Sequence, residues 1–501
     1  MFKKILVANR GEIAVRVMRG CRELGIKTVA VYSDIDSEAL HVQTADEAVC
    51  IGEAAPAQSY LNIDAIIKAA KDTNADAIHP GYGFLSENFN FAERCEKEGI
   101  IFIGPNAKSM KLVGDKVASR EVSEKANIPL IPGMRGKSTD ANECIAEAKI
   151  IGLPVLLKAS AGGGGKGMRI IRALEELEPA VEASMREARA AFGDPSVYLE
   201  KYIEKPRHVE FQVLADNHGN AIHLFERECS IQRRHQKIVE ESPSTAVDDD
   251  LRKRMGETAL KIVEISNYNN AGTVEFLLDE DGSYYFLEVN ARLQVEHPVT
   301  EMVCGIDLVH AQIRIAAGEK LWIKQSDLTQ NGHAIECRIY AEDPETNFLP
   351  SAGKILFMKE PSGPGVRHDC GVYSGSEVSV YYDPILSKLI TWAPTREICC
   401  QRMAAALNNF PVLGIKTDIE FLHDVVSNPE FISGNTLTNF IPTYMPDWKP
   451  YSDDNIIENS LLTAAVFSSN KNAAVGYSPD QAEIPSPWLT LGDWEISGGG
   501  A

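Results

Sequence analysis

The chain has 501 residues, 44% of them hydrophobic and 24% charged, and its 71 acidic against 50 basic side chains give a formal net charge of −21. That length suits about three domains, each able to bury a core without disulfide staples. So acidic a protein is repelled by polyphosphate and anionic lipid, which argues against nucleic acid and membrane surfaces as partners and leaves only local basic sites for small anions. No apolar stretch approaches the ~18 residues of a membrane span, and Met1-Phe2-Lys3-Lys4 runs into a strand with no signal-peptide core. The ten cysteines contain no CxxC pair, which excludes a zinc ribbon and a redox motif. They read as small buried hydrophobes in a reducing, cytoplasmic compartment.

In chain order, residues 4–8 (Lys-Ile-Leu-Val-Ala) form an apolar run expected to be a buried parallel strand. Ile13, Val17, Cys21 and Leu24 then recur every three to four residues, predicting a helix from about residue 12 to Gly25. Residues 28–32, 75–79 and 100–104 read as further strands of one sheet, built on a βαβ unit. The turn at 9–12 could hold an anion at a helix N-terminus, but it lacks the three glycines of a dinucleotide site. Residues 115–127 read as a helical linker. A strand at 154–158 leads into four glycines followed by Lys166 and Gly167, and alternating strand patterns such as 208–214 follow. From residue 447 the composition turns polar, with a helix-like run at 456–467 and a Pro/Ser/Gly-rich end.

The most informative stretch runs from Gly272 to Glu296. Asp281-Gly282 is a strong hairpin signal; taking it as the turn pairs Glu280 with Ser283 and, further along, Glu275 with Glu288. The other face then carries Val274, Phe276 and Leu278 against Val289, Leu287 and Tyr285. Directly opposed carboxylates have Cβ atoms ~5 Å apart and repel. Either one acid takes up a proton, or a divalent cation such as Mg²⁺ sits between them and carries phosphate oxygens. If the chain stays extended beyond the hairpin, Glu288, Asn290, Arg292, Gln294 and Glu296 line one wall. A row of acid, amide, guanidinium, amide and acid suits a site that binds metal and a small anion and moves a proton.

Four glycines before Lys166-Gly167 let backbone N–H groups approach phosphate with no side chain in the way, although Gly167 stands where a Walker A loop needs Ser or Thr. Glu200, at the end of a strand, could accept a hydrogen bond from a purine or form a structural ion pair. The segment 226–237 gathers several cations and His235 in an otherwise acidic protein and could offer them to phosphate or bicarbonate. Arg338 sits in a strand-like run, where an acid is its usual partner.

The motifs Lys-Ile-Leu-Val-Ala-Asn-Arg-Gly-Glu-Ile-Ala at 4–14, His-Pro-Gly-Tyr-Gly-Phe-Leu-Ser-Glu-Asn at 79–88, Lys-Ala-Ser-Ala-Gly-Gly-Gly-Gly-Lys-Gly-Met-Arg at 158–169, Glu-Cys-Ser-Ile-Gln-Arg-Arg-His-Gln-Lys at 228–237 and Phe-Leu-Glu-Val-Asn-Ala-Arg-Leu-Gln-Val-Glu-His-Pro-Val-Thr-Glu at 286–301 resemble biotin carboxylase, the ATP-grasp component of biotin-dependent carboxylases. The resemblance covers roughly residues 1–446. It implies an α/β and α+β protein: a Rossmann-like parallel sheet (1–114), a helical linker (115–130), an ATP-grasp lid (131–203), the ATP-grasp core with the C-terminal biotin carboxylase domain (204–446), and a tail (447–501).

The reaction so implied joins ATP, bicarbonate and biotin into ADP, phosphate and N-carboxybiotin through carboxyphosphate. Glu275, Glu288 and Asn290 would carry Mg²⁺ or Mn²⁺. Lys116 and Lys158 would contact phosphates or adenine, and Gly163, Gly164, Gly165, Lys166, Gly167 and Met168 would close over the phosphates. Glu200, Lys201, Ile203, His208, Gln232, His235 and Leu277 would surround the nucleotide. Lys237, Arg292, Gln294 and Val295 would hold bicarbonate, Glu296 would deprotonate it, and Arg338 would stabilise the biotin enolate.

No Ala/Val-Met-Lys-Met element for covalent biotin is present, so the implied partners are a separate biotinylated carrier and a carboxyltransferase subunit, and the family habit is a homodimer. Residues 485–494 faintly resemble the linker after the carboxylase in acyl-CoA carboxylase α chains. The competing expectation is another ATP-grasp ligase that forms an acylphosphate.

Overall fold

The computed structural model describes residues 1–134, 136–159, 168–192, 194–234 and 236–451, with the backbone alone at 116, 117, 191 and 192. The chain divides into two compact units, Met1–Trp448 and Lys449–Ala501. The helix-like run at 456–467 and the segment 485–494 lie outside the described residues.

Strands β1 (Lys4–Val7), β2 (Lys27–Ser33), β3 (Glu47–Gly52), β4 (Ala77–His79) and β5 (Ile101–Phe102) form a sheet in the order β3-β2-β1-β4-β5. Every pairing in it is parallel. Its central strand is apolar without a break because both faces are covered. Ile5 and Val7 pack with Ile13 and Val17 of the helix Gly11–Glu23, whereas Leu6 packs with Ile66 and Phe91 from two helices on the other side. The edge strand β3 escapes a search for apolar runs because half of its residues are exposed. At the turn at 9–12, Arg10 forks onto Asp36 at 2.7 and 2.8 Å, and Glu12 places a buried carboxylate in the first helical turn.

The helix Lys116–Lys125 precedes a three-stranded antiparallel sheet of β6 (Val155–Ala159), β7 (Arg169–Ile171) and β8 (Val197–Lys201), ordered β7-β6-β8. Its apolar residues share a core with the helices Ala141–Ile151 and Leu177–Phe192.

The largest sheet contains β9 (Arg207–Ala215), β10 (Ala221–Arg233), β11 (Gln236–Ser242), β12 (Asn270–Leu278), β13 (Tyr284–Asn290) and β14 (His333–Tyr340), followed by the strands Ile385–Ala393 and Val366–Cys370. They lie in the order β13-β12-β9-β10-β11-β14, then Ile385–Ala393 and Val366–Cys370. Alternation along β9 and β12 sends Val209, Phe211, Val213, Val274, Phe276 and Leu278 against Leu251, Met255, Ala259 and Ile262 of the helix Asp249–Ile265. The opposite face therefore carries His208, Glu210, Gln212, Thr273, Glu275 and Leu277, and the candidate site is built there. No helix among the described residues is long and apolar enough to cross a membrane.

Phe211 is fully buried and meets the Phe276 ring edge-on, with centroids 6.1 Å apart. Truncation by Phe211→Ala should cost about 3–5 kcal/mol, read as a lower urea midpoint, because the cavity opens between sheet and helix.

Candidate active site

Glu275 and Glu288 are register partners across β12 and β13. The sequence reaches that pair by a ladder that holds only on its inner side. At the tip it is Asp279, not Glu280, that faces Ser283, through an N–H···O bond of 2.8 Å, with Gly282 in the left-handed region at φ +81°. An irregularity after Glu275 leaves Leu287 unpaired, so Phe276 faces Phe286 and Leu278 faces Tyr284. Val289 enters the core as expected, but Phe286 joins it there in place of Leu287 and Tyr285. The bulge absorbs the one-residue offset of the turn.

The like-charge conflict at Glu275 is met by groups other than a proton or a divalent ion. Its Oε1 accepts hydrogen bonds from Lys237 Nζ at 2.8 Å and Gln294 Nε2 at 3.1 Å, and its Oε2 lies 3.0 Å from His208 Nε2. Glu288 is exposed beside it. The Lys237 ammonium also reaches Glu210 Oε2 at 2.6 Å and Glu296 Oε1 at 2.8 Å, so one cation is shared by three buried carboxylates. Burial disfavours its charge, yet the three acids hold its pKa well above the lysine range. Burial would likewise raise Glu275 and Glu296. Lys237 and His208 overcome it at Glu275, and Lys237, Arg338 and Arg227 at Glu296, so both sit well below the usual carboxylate range. Glu210, in contrast, is raised by burial and by the charge on Glu296.

Glu210, on β9, is the register partner of Glu275 on the side of β12 away from β13 and accepts from Arg227 Nε at 2.7 Å. Its signal in the sequence is the alternation of His208, Glu210 and Gln212. Lys237 carries no such signal. The ladder pairs Ile231 with Val239 and Gln232 with Lys237, skipping Ile238. That extra residue turns the ammonium away from the apolar side of Val239 and onto the site face.

β13 ends at Asn290, so the row from 288 to 296 is not one extended wall. Side-chain bonds hold it together instead. Arg292 donates from Nη2 to Asn290 Oδ1 at 3.0 Å and from Nη1 to Gln294 Oε1 at 2.8 Å, and Gln294 passes the chain on to Glu275. Arg292 is anchored from behind by Glu87 Oε2 at 3.0 Å, a contact from the distant 79–88 motif that no local pattern reveals. Glu296 directly precedes the helix His297–Cys304, with no capping bond from its side chain, and its Oε2 accepts from Arg338 Nη2 at 3.1 Å. Arg338 also donates from Nε to Glu240 at 2.6 Å. The Val295 carbonyl accepts from Lys388 Nζ at 3.0 Å.

On the neighbouring small sheet, Lys158 Nζ binds Glu200 Oε2 at 2.5 Å and Arg120 Nη1 binds its Oε1 at 3.0 Å, which realises the ion-pair reading of Glu200. Lys201 points to the other side of β8, where its ammonium meets the carbonyls of Gly152 and Leu153 at 3.1 and 2.8 Å. Ile203 is buried, Met168 and Leu277 half-buried. Gln232 donates to the Cys229 carbonyl at 2.9 Å, and its Nε2 lies 2.9 Å from His208 Nδ1. Gly163, Gly164, Gly165, Lys166, Gly167 and His235 lie outside the described residues, as does the Lys116 side chain.

Among the described residues three donor clusters could hold a metal ion, each with donor atoms within 4.8 Å of one another: Glu23–Asp307–His310, and, on the site face, His208–Glu210–Glu275 and Glu210–Cys229–Glu296. In each of the two site-face clusters Lys237 already bonds two of the three members. Glu275, Glu288 and the Asn290 carbonyl offer hard oxygen donors of the kind Mg²⁺ takes. Asn290 Nδ2 is buried without a hydrogen-bond partner, and a phosphate oxygen brought in with the ion would satisfy it. The residues present fit such an ion.

Three family models match the chain in succession: "Biotin carboxylase, N-terminal domain" over residues 1–110, "Carbamoyl-phosphate synthase L chain, ATP binding domain" over 115–324 and "Biotin carboxylase C-terminal domain" over 336–443. The chain is 54% identical over 440 residues to a biotin carboxylase of Nostoc sp., covering 88% of this chain and 98% of that protein. It is 48% identical to the mitochondrial propionyl-CoA carboxylase alpha chain of Sus scrofa, over 99% of this chain and 69% of the relative. That match runs past residue 446, where the motif resemblance ends. The biotin carboxylase domain dimer of Hydrogenobacter thermophilus 2-oxoglutarate carboxylase, solved with MgADP, ADP and bicarbonate, superposes with a TM-score of 0.85 at 50% identity, covering 90% of this chain and all of that one.

The depressed carboxylates make the fold acid-sensitive. A carboxylate whose folded pKa is lowered contributes stability that is present above its unfolded value, about 4.3, and is lost as the pH falls through the folded value. The thermal midpoint should therefore drop as the pH falls below about 4.3, and Glu296→Gln, which has no proton to take up there, should show a smaller drop.

Proposed function

The chain belongs to the biotin carboxylase family, and we infer from its site how it carries out the ATP- and bicarbonate-dependent carboxylation of biotin. The observation that carries the assignment of roles is the meeting of Lys237, Arg338 and Glu296: a buried carboxylate between two cations, each able to transfer its charge to an arriving anion.

At rest Glu296 is a weak base because Lys237 and Arg338 neutralise it. Bicarbonate entering beside Lys237, Arg292, Gln294 and the Val295 backbone takes over part of that positive charge. The basicity of Glu296 then rises as the substrate settles, and its Oε accepts the bicarbonate proton. The freed oxygen attacks the γ-phosphorus of ATP, the bond to the β-bridging oxygen breaks, and ADP departs with that electron pair, leaving carboxyphosphate. Carboxyphosphate divides into CO₂ and phosphate. The phosphate takes the ureido N–H proton of biotin, and the resulting enolate, held by the Arg338 guanidinium, adds to CO₂. Arg338 is suited to this because Glu240 fixes its Nε edge while its Nη2 edge faces the site.

Glu275, Glu288 and Asn290 would hold Mg²⁺ or Mn²⁺, which when bound neutralises phosphate oxygens and aligns them for in-line transfer. Glu288 is the exposed member of the set and so the one open to the arriving metal nucleotide. On the adenine side, Lys158, Glu200, Arg120, Ile203, Met168, His208, Gln232 and Leu277 border the space where the nucleotide would lie, with Lys116, His235 and the glycine segment 162–167 taken to complete it. Lys201, turned away by its side chain, would act through its backbone. We assign Lys237 a double role, as the resting counter-ion of three acids and as a bicarbonate ligand.

The carrier of biotin is a separate biotinylated protein or domain, and the carboxyl group passes on to a carboxyltransferase subunit. Similarity to the propionyl-CoA carboxylase alpha chain through the tail supports an acyl-CoA carboxylase assembly, with the biotin carboxylase part as a homodimer in the cytoplasm. The division at 1–114, 115–130, 131–203, 204–446 and 447–501 describes the parts so assigned.

Glu296→Gln keeps the shape and removes the base. Bicarbonate-dependent ADP release in the presence of free biotin should fall by about 10²–10⁴-fold, while ATP binding measured by calorimetry stays within the wild-type range. Retention of biotin-dependent turnover in this variant would assign the base elsewhere.

A further inference from the structure

β11 and β14 set Glu240 directly opposite Glu336, repeating deeper in the sheet the relation between Glu275 and Glu288. Opposed side chains have Cβ atoms ~5 Å apart, and here both residues are completely buried. Glu240 gives Oε1 to Arg338 Nε. Its Oε2 has no hydrogen-bond partner, and neither does either oxygen of Glu336.

Lys388 and Arg338 lie near enough to Glu336 to favour its charged form, but neither hydrogen-bonds it, and burial outweighs them. Arg338, two residues along β14, already faces Glu240 and Glu296. Lys388, on the strand Ile385–Ala393, places Nζ 3.0 Å from the Val295 carbonyl and 3.3 Å from Glu12 Oε2. Glu12, from the helix Gly11–Glu23, also accepts from Tyr82. Glu296, just before the helix His297–Cys304, adds a like charge that further raises Glu336, and burial lowers the pKa of the adjoining His297 well below the usual histidine value. Asp369, on the strand Val366–Cys370, is paired with Arg367 at 2.7 Å. An ionised Glu336 would be a buried charge with no hydrogen-bonded partner, which costs more than taking up a proton.

We propose that Glu336 is a positioning residue that shares one proton with Glu240, keeping Glu240 as the anion that anchors Arg338 and, through Arg338, orients the base Glu296. The proposal rests on the biotin carboxylation reading for its effect on turnover, but the proton itself does not depend on that reading. A proton between Glu336 and Glu240 Oε2 satisfies two otherwise unpartnered oxygens at once. Burial pushes Glu336 well above the ordinary carboxylate range and Glu240 up to about 7; because Arg338 favours the anion on Glu240, the proton belongs on Glu336. Loss of it would set a second anion beside Arg338 and draw the guanidinium off Glu296, so turnover should have an alkaline arm governed by this pair.

The test compares the full chain with its Glu336→Gln variant by infrared difference spectroscopy, pH-dependent thermal unfolding and the pH profile of kcat for bicarbonate-dependent ADP release. The wild type should show the C=O band of a protonated carboxyl at neutral pH, sensitive to D₂O and lost in Glu336→Gln. A raised folded pKa means stability falls as the pH climbs from about 4.3 toward the raised value. The amide cannot ionise, so the thermal midpoint of the variant minus that of the wild type should grow over this window. The alkaline arm of kcat should move up by at least about one pH unit. If Glu336→Gln does not fold, Glu240→Gln serves: its carboxyl band should shift, the acceptor having changed from carboxylate to amide. An unaltered band in whichever variant folds, or unfolding profiles that stay parallel at every pH, overturns the shared proton; an altered band with an unmoved kcat profile overturns the positioning role.

Discussion

The site depends on one ammonium group. Lys237 holds Glu210, Glu275 and Glu296, brought by β9, β12 and the head of a helix, within hydrogen-bond distance of a single nitrogen. Three carboxylates taken out of water at that spacing would repel strongly in a low-dielectric interior. With the cation among them, the polar face of the sheet can be charged and buried before any substrate arrives. The opposite face pays for the arrangement through the aromatic and aliphatic packing around Phe211 and Phe276. One sheet therefore separates what stabilises the fold from what does the chemistry.

Opposed carboxylates recur in this sheet, and the surroundings of two of the pairs give them different solutions. At Glu275 and Glu288 one partner is exposed, so a cation from solvent has access. At Glu240 and Glu336 both are sealed in and flanked by cations already engaged, so the compensating charge is a proton. The register relation is the same in both pairs, and burial selects the chemistry. Arg338 and Glu296 lie between the two pairs, which places the base where changes on either side are felt.

The opposed pair at 275 and 288 was legible in the sequence because strand alternation and a turn signal are local. The buried βαβ start was legible for the same reason: β1 is covered on both faces and its residues say so. What local patterns could not show were the places where one residue breaks the period. The offset turn at Asp279 and the bulge at Leu287 cancel, so Glu288 is placed correctly while Leu287 and Tyr285 are not. Ile238 breaks the period again and puts Lys237 on the site face. The row from 288 to 296 looked like a strand because its polar groups alternate, yet beyond Asn290 its order comes from side-chain bonds ending on Glu87, more than two hundred residues away. Long-range anchors of this kind, like Lys388 on the Val295 carbonyl, leave no trace in spacing.

The measurement that bears most directly on this account is the position of a divalent ion relative to the Lys237 cluster. Crystals of the full chain grown with Mn²⁺ and ADP can be read by anomalous scattering. A peak within coordination distance of both Glu275 and Glu288, with Lys237 still against Glu210 and Glu296, is the result the account requires. A peak among His208, Glu210 and Glu275 with the ammonium displaced, or a metal nucleotide held without Glu288, would contradict it.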